Sequence, residues 1–117
     1  MIYEVVYSAK ARQDLMDVYR YIAEELLVPE TAKAQIDRIM KAIRTLEEMP
    51  MRHRLYEEEP WHSQGVRVLP VDNYIVFYLP DDTVGIVYIV RIMYGGRNID
   101  KQLNIDKQLN EMEVLLD

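Results

Sequence analysis

The sequence predicts an α+β domain in the order β-α-α-β-β-β, with a small, mostly antiparallel sheet packed on a two-helix hairpin and a helical C-terminal tail. Three observations lead there. Two segments near the N-terminus carry apolar residues at helical spacing; the second half holds three β-rich runs separated by short turns; and half of the 117 residues are hydrophobic, enough to form a core.

The opening residues 2–7 are rich in Val, Ile and Tyr and read as a strand. Ser8 stands where a helix N-cap belongs, since its hydroxyl can satisfy an orphan amide of the first turn. Ala11, Leu15, Val18, Ile22 and Leu26 then mark one face of a helix that Pro29 stops. A second helix begins near Thr31, with Ala32, Ile36, Ile39, Ile43 and Leu46 as its stripe, and ends at Met49-Pro50. A short turn between two such helices makes an antiparallel hairpin. Residues 51–65 show no period; Arg52-His53-Arg54 and Glu57-Glu58-Glu59 mark a charged surface loop that Trp61 anchors to the core. Residues 66–71, 73–79 and 84–94 are the three strands of a meander, joined at Asp72-Asn73 and Asp81-Asp82, residue types that tolerate left-handed backbone. One face of that sheet requires cover, which the helical hairpin provides.

Residues 98–103, Asn-Ile-Asp-Lys-Gln-Leu, are repeated at once as 104–109. We therefore divide the chain into a domain of residues 1–97 and a tail of residues 98–117. The tail stripe Ile105, Leu109, Met112 and Leu116 is suited to a helix and to self-association as a homodimer. The net charge of −6 divides equally: residues 1–97 hold 12 basic and 15 acidic side chains, and residues 98–117 hold two and five. An acidic total argues against strong non-specific binding to nucleic acid. The absence of cysteine excludes disulfides and thiolate metal sites. The apolar stretches are too short for a membrane span, and the N-terminus lacks the basic and apolar regions of a secretion signal, so the expected location is the cytoplasm.

For chemistry, His62 beside Ser63 is not the arrangement of a triad, and His53 and His62 read as surface histidines rather than metal ligands, so neither a metal nor a cofactor is expected. What remains is a set of cations and one tyrosine in the second half. Arg67 lies in an otherwise apolar strand, Arg91 interrupts the run Ile86-Val87-Tyr88-Ile89-Val90, and Arg97 follows Tyr94-Gly95-Gly96. Each arginine has a structural use, Arg67 and Arg91 facing water or pairing with a helix carboxylate and Arg97 capping a turn; gathered with Tyr94 on one sheet face or edge they would suit an anionic target.

At these residues the chain resembles the RelE/ParE toxin superfamily. The resemblance is carried by Asp14-Leu15, Val18-Tyr19 and Tyr21-Ile22; by Ile39, Ile43, Leu46 and Pro50; by Val66-Arg67-Val68-Leu69-Pro70-Val71 and Asn73-Tyr74-Ile75-Val76-Phe77-Tyr78; and by the motif from Arg91 to Ile99. It implies the toxin of a type II toxin–antitoxin module, neutralised by a cognate antitoxin. RelE-like members cleave mRNA on the ribosome with lysine and arginine side chains, without a metal; ParE-like members act on DNA gyrase with no known hydrolytic residue. Where RelE-like nucleases carry an arginine after the tyrosine, this chain has Ile75, and it has no lysine between Lys41 and Lys101. The expectation is therefore a ParE-like toxin that binds a protein target through Arg91, Tyr94 and Arg97. In a nuclease, Arg67 and Arg97 would be the catalytic residues; an inactive family member is the third reading.

Overall fold

The computed structural model describes residues 2–95. They form β1 (Glu4–Tyr7), α1 (Ala9–Arg20), α2 (Pro29–Arg44), α3 (Trp61–Gln64), β2 (Arg67–Val71), β3 (Tyr74–Asp81) and β4 (Ile86–Tyr94). The sheet order is β1-β4-β3-β2, with β2, β3 and β4 antiparallel and β1 parallel to β4. The α+β class, the order of the main elements and the mostly antiparallel sheet on a helical hairpin are as the sequence predicts. The expected helical tail of residues 98–117, its repeat and its apolar stripe lie outside the described residues.

Ser8 joins β1 to α1 in a single step. Its Oγ accepts the Ala11 N–H at 2.9 Å and donates to the Val90 carbonyl at 2.9 Å, so one hydroxyl caps the helix and fastens its start to β4. The helix ends differently from expectation. The α-helical turns stop at Arg20, and Tyr21–Glu25 form a π-helical turn in which the Leu26 N–H reaches back to the Tyr21 carbonyl at 3.1 Å. The extra residue in that turn keeps Ile22 buried but swings Leu26, expected on the core stripe, out into solvent. Leu27 then closes the helix at φ 58.

Helix α2 starts at Pro29, two residues before the expected Thr31, because proline's fixed φ suits the first helical position and its missing N–H is not needed there. A 3₁₀ turn, Thr45–Glu47, continues it far enough to bury Leu46.

Residues 51–65 do more than form a charged loop anchored by Trp61. They include α3 and cover the second face of the sheet. There Trp61 packs with Val66, Val68, Phe77 and Met93, and Tyr56 meets Phe77 edge-on at 5.3 Å. The opposite face carries the main core of Ile39, Ile43 and Leu46 against Leu69, Val76, Tyr78, Val87, Ile89 and Ile92. Both faces can be filled because alternate strand residues point to opposite sides. An irregularity in β4 shifts the register, with Phe77 opposite Arg91 but Tyr78 opposite Ile89, so that Ile89 and Ile92 both reach the main core. No helix among the described residues is long and apolar enough to cross a membrane.

Candidate functional site

The two arginines of the sheet are both engaged within the fold. Strand β1 ends opposite Ile89, and beyond that point the edge of β4 has no neighbouring strand. Asp14 of α1 takes the place of one. Its Oδ2 accepts the Ile92 backbone N–H at 2.8 Å and the Arg91 Nε at 2.8 Å, while Oδ1 accepts Arg91 Nη2 at 2.9 Å. The side chains of Arg91 and Asp14 are only 9% and 10% exposed. A bidentate pair with a third donor satisfies the carboxylate, as burial of a charge requires. Arg91, expected to meet an external target, is thus placed against a helix carboxylate.

Arg67 starts β2 and donates through Nη1 to the Met51 and His53 carbonyls at 3.0 and 2.7 Å. Its cross-strand neighbour Tyr78 is fully buried and donates its hydroxyl to the Pro50 carbonyl at 2.6 Å. Burial pushes the Tyr78 hydroxyl up to about 12, against the lowering effect of the Arg67 and Arg52 charges. His53 lies edge-on to Tyr78, and burial, then the adjacent Arg52 charge, hold its pKa below the usual histidine value. Together these contacts fasten residues 50–53 to the sheet.

Tyr94, the last residue of β4, is 47% exposed and meets Tyr74 edge-on at 5.8 Å. The Gly95 N–H bonds the Asn73 carbonyl at 2.9 Å, an approach so close that a Cβ at Gly95 would lie 3.4 Å from that oxygen. These residues, with Pro70, Asp72 and Ile75, line an open groove of about 320 Å³ at the end of the sheet. Arg38 and Gln35 of α2 bond Asp72 at 2.8 and 3.0 Å, bracing the turn beneath the groove. Those two bonds, Arg38 first, keep the Asp72 carboxyl below its usual range.

Of the residues singled out in the sequence, Tyr94 therefore faces solvent beside a groove, Arg67 and Arg91 are held in separate internal networks, and Arg97 lies outside the described residues. Sequence reasoning did not identify the partners Asp14, Asp72 and Arg38. A carboxylate beside the apolar stripe of α1 and an arginine inside an apolar run are the two halves of a signal that only the fold connects. Among the described residues no three His, Asp or Glu side chains gather to hold a metal.

The chain is similar to known toxins in sequence and in fold. A family model, the ParE toxin of the type II toxin–antitoxin system parDE, matches residues 5–99. Among solved structures, a chain of the chromosomal ParDE toxin–antitoxin system of P. aeruginosa is 21% identical with a TM-score of 0.67, covering 80% of this chain and 96% of that one. A double-arginine mutant of the E. coli toxin RelE in the free state is 10% identical with a TM-score of 0.64, over 92% and 98% of the two chains. The toxin–antitoxin complex RelBE2 of Mycobacterium tuberculosis is 23% identical with a TM-score of 0.56, over 80% and 99%. No curated protein sequence matches significantly.

Proposed function

The chain belongs to the ParE toxin family of type II toxin–antitoxin systems, and on that premise we propose that it arrests growth in the cytoplasm by binding a protein target, DNA gyrase, rather than by cutting RNA. The observation that carries this reading is the engagement of both sheet arginines. Metal-free cleavage of a phosphodiester needs several cations free to converge on the developing charge. In the described sheet the cations are Arg67 and Arg91, one bonded to loop carbonyls and the other to Asp14. Ile75 stands where a nuclease of the superfamily would carry arginine, and no lysine falls between Lys41 and Lys101.

In this reading Tyr94 contacts the target at the groove end of the sheet, Arg97 is a further target contact implied by its motif, and Arg91 acts indirectly by fixing the end of β4. A cognate antitoxin neutralises the toxin, in keeping with the toxin–antitoxin complexes that share the fold. Two measurements test the proposal. Purified protein at micromolar concentration inhibits gyrase supercoiling, and primer extension on mRNA from expressing cells shows no new cuts. Undisturbed gyrase, or codon-phased cleavage, overturns it.

A further inference from the structure

The tip of the helical hairpin displays the most exposed large hydrophobic residue among the described residues. Leu27 is 77% exposed, and Leu26, Val28 and Tyr21 beside it are exposed as well. The backbone beneath them is well fixed. The Leu26 N–H bonds the Tyr21 carbonyl, the Val28 N–H bonds the Ile22 carbonyl at 3.2 Å, and the Val28 carbonyl accepts the Ala32 N–H at 3.0 Å. Leu27 itself sits at φ 58, a conformation that a Cβ disfavours. Helices commonly place glycine there, and α3 does so with Gly65 at φ 90. A leucine in that position gains almost no burial within the chain to offset its backbone strain. A strained, exposed apolar residue on a well-bonded turn points to contact outside the molecule.

The charge around the tip selects the partner. Residues 21–32 contain Glu24, Glu25 and Glu30, all exposed, and no Lys, Arg or His; the nearest cations along the chain, Arg20 and Lys33, flank that stretch at the end of α1 and the start of α2. A second copy meeting this tip would set like charges against each other, which disfavours a tip-to-tip homodimer. Resting on the reading of the protein as a binding toxin, we infer that the hairpin tip is an anchor that inserts Leu27 and Leu26 into an apolar pocket rimmed by lysine or arginine on the toxin's protein target. Enzymes that handle nucleic acid present such cationic rims because they bind phosphates.

The test uses the full chain with Leu27→Gly. Glycine suits the positive φ, so the melting temperature stays at or above that of the unsubstituted protein while the anchor is gone. Inhibition of gyrase supercoiling then weakens by at least about tenfold, the effect of losing a central apolar contact, and the cognate antitoxin is still bound. Replacing Glu24, Glu25 and Glu30 together with glutamine also weakens inhibition and reduces its sensitivity to salt. If the unsubstituted protein and Leu27→Gly inhibit equally, the anchor is overturned and the functional reading stands. If the unsubstituted protein leaves gyrase undisturbed, the functional reading falls, and the anchor with it. Loss of antitoxin binding in step with gyrase inhibition assigns the tip to the antitoxin and overturns the inference. Equal salt sensitivity in the glutamine variant overturns the cationic rim.

Discussion

At the scale of single residues, Asp14 matters most because it serves a charge and a strand edge at once. Replacing it with alanine leaves Arg91 buried without its carboxylate and the Ile92 N–H without its acceptor. Asp14→Ala therefore lowers stability by about 3–5 kcal/mol in urea denaturation, whereas the double variant Asp14→Leu with Arg91→Met loses less, since removing both charges avoids an uncompensated ion. His53 supplies a pH dependence. Its pKa is lowered in the folded protein, first by burial and then by Arg52, with Arg67 and Tyr78 also facing it. The unfolded chain thus takes up the proton more readily. Stability is level above the unfolded value near 6.5 and declines as pH falls from there toward the folded value. The urea midpoint drops between pH 7.5 and 5, and His53→Phe, which keeps an aromatic ring beside Tyr78, flattens that drop. Arg91 was legible in the sequence as an anomaly, a cation inside an apolar run. Its partner was not, because Asp14 lies 77 residues away and meets it only through the place where β1 ends.

At the scale of elements, the junction between β1 and α1 depends on one hydroxyl. Ser8→Ala removes a helix cap and the bond to Val90 together, and costs about 1–2 kcal/mol in the same denaturation experiment. The sequence announced this cap because serine before an apolar helical stripe has a local physical meaning. The strands were legible for the same reason: alternation and Asp-rich turns are properties of neighbouring residues. The π-helical turn at Tyr21–Glu25 was not, since its sequence fits an ordinary helix and the altered hydrogen bonding emerges only as the chain leaves the core. The second layer under Trp61 was half legible. An isolated tryptophan in a charged segment requires burial, but which face of the sheet receives it depends on the register of β2 and β3.

At the scale of the whole molecule, the sheet arginines serve architecture, and this yields a prediction that separates scaffold from chemistry. Arg67→Met lowers the melting temperature by releasing residues 51–53, yet growth arrest per folded molecule, measured against immunoblotted soluble protein, stays unchanged. A loss of arrest well beyond the loss of folded protein would place Arg67 in catalysis instead. The family was readable from the succession of weak motifs along the chain; the anchor proposed at the hairpin tip was not, because exposure and backbone strain there are properties of the folded state. The parallel pairing of β1 with β4 has a last consequence, in the order of synthesis. Tyr7 lies opposite Ile89, and Ser8 bonds Val90 across 82 residues. Among the described residues, the strand made first has no partner until β4 emerges, and contacts so distant in sequence form slowly. A growing chain that stops before Ile86 holds a complete helical hairpin but an open sheet and an unpaired Asp14. The growth arrest proposed for this family member thus requires nearly the whole described domain to be translated first.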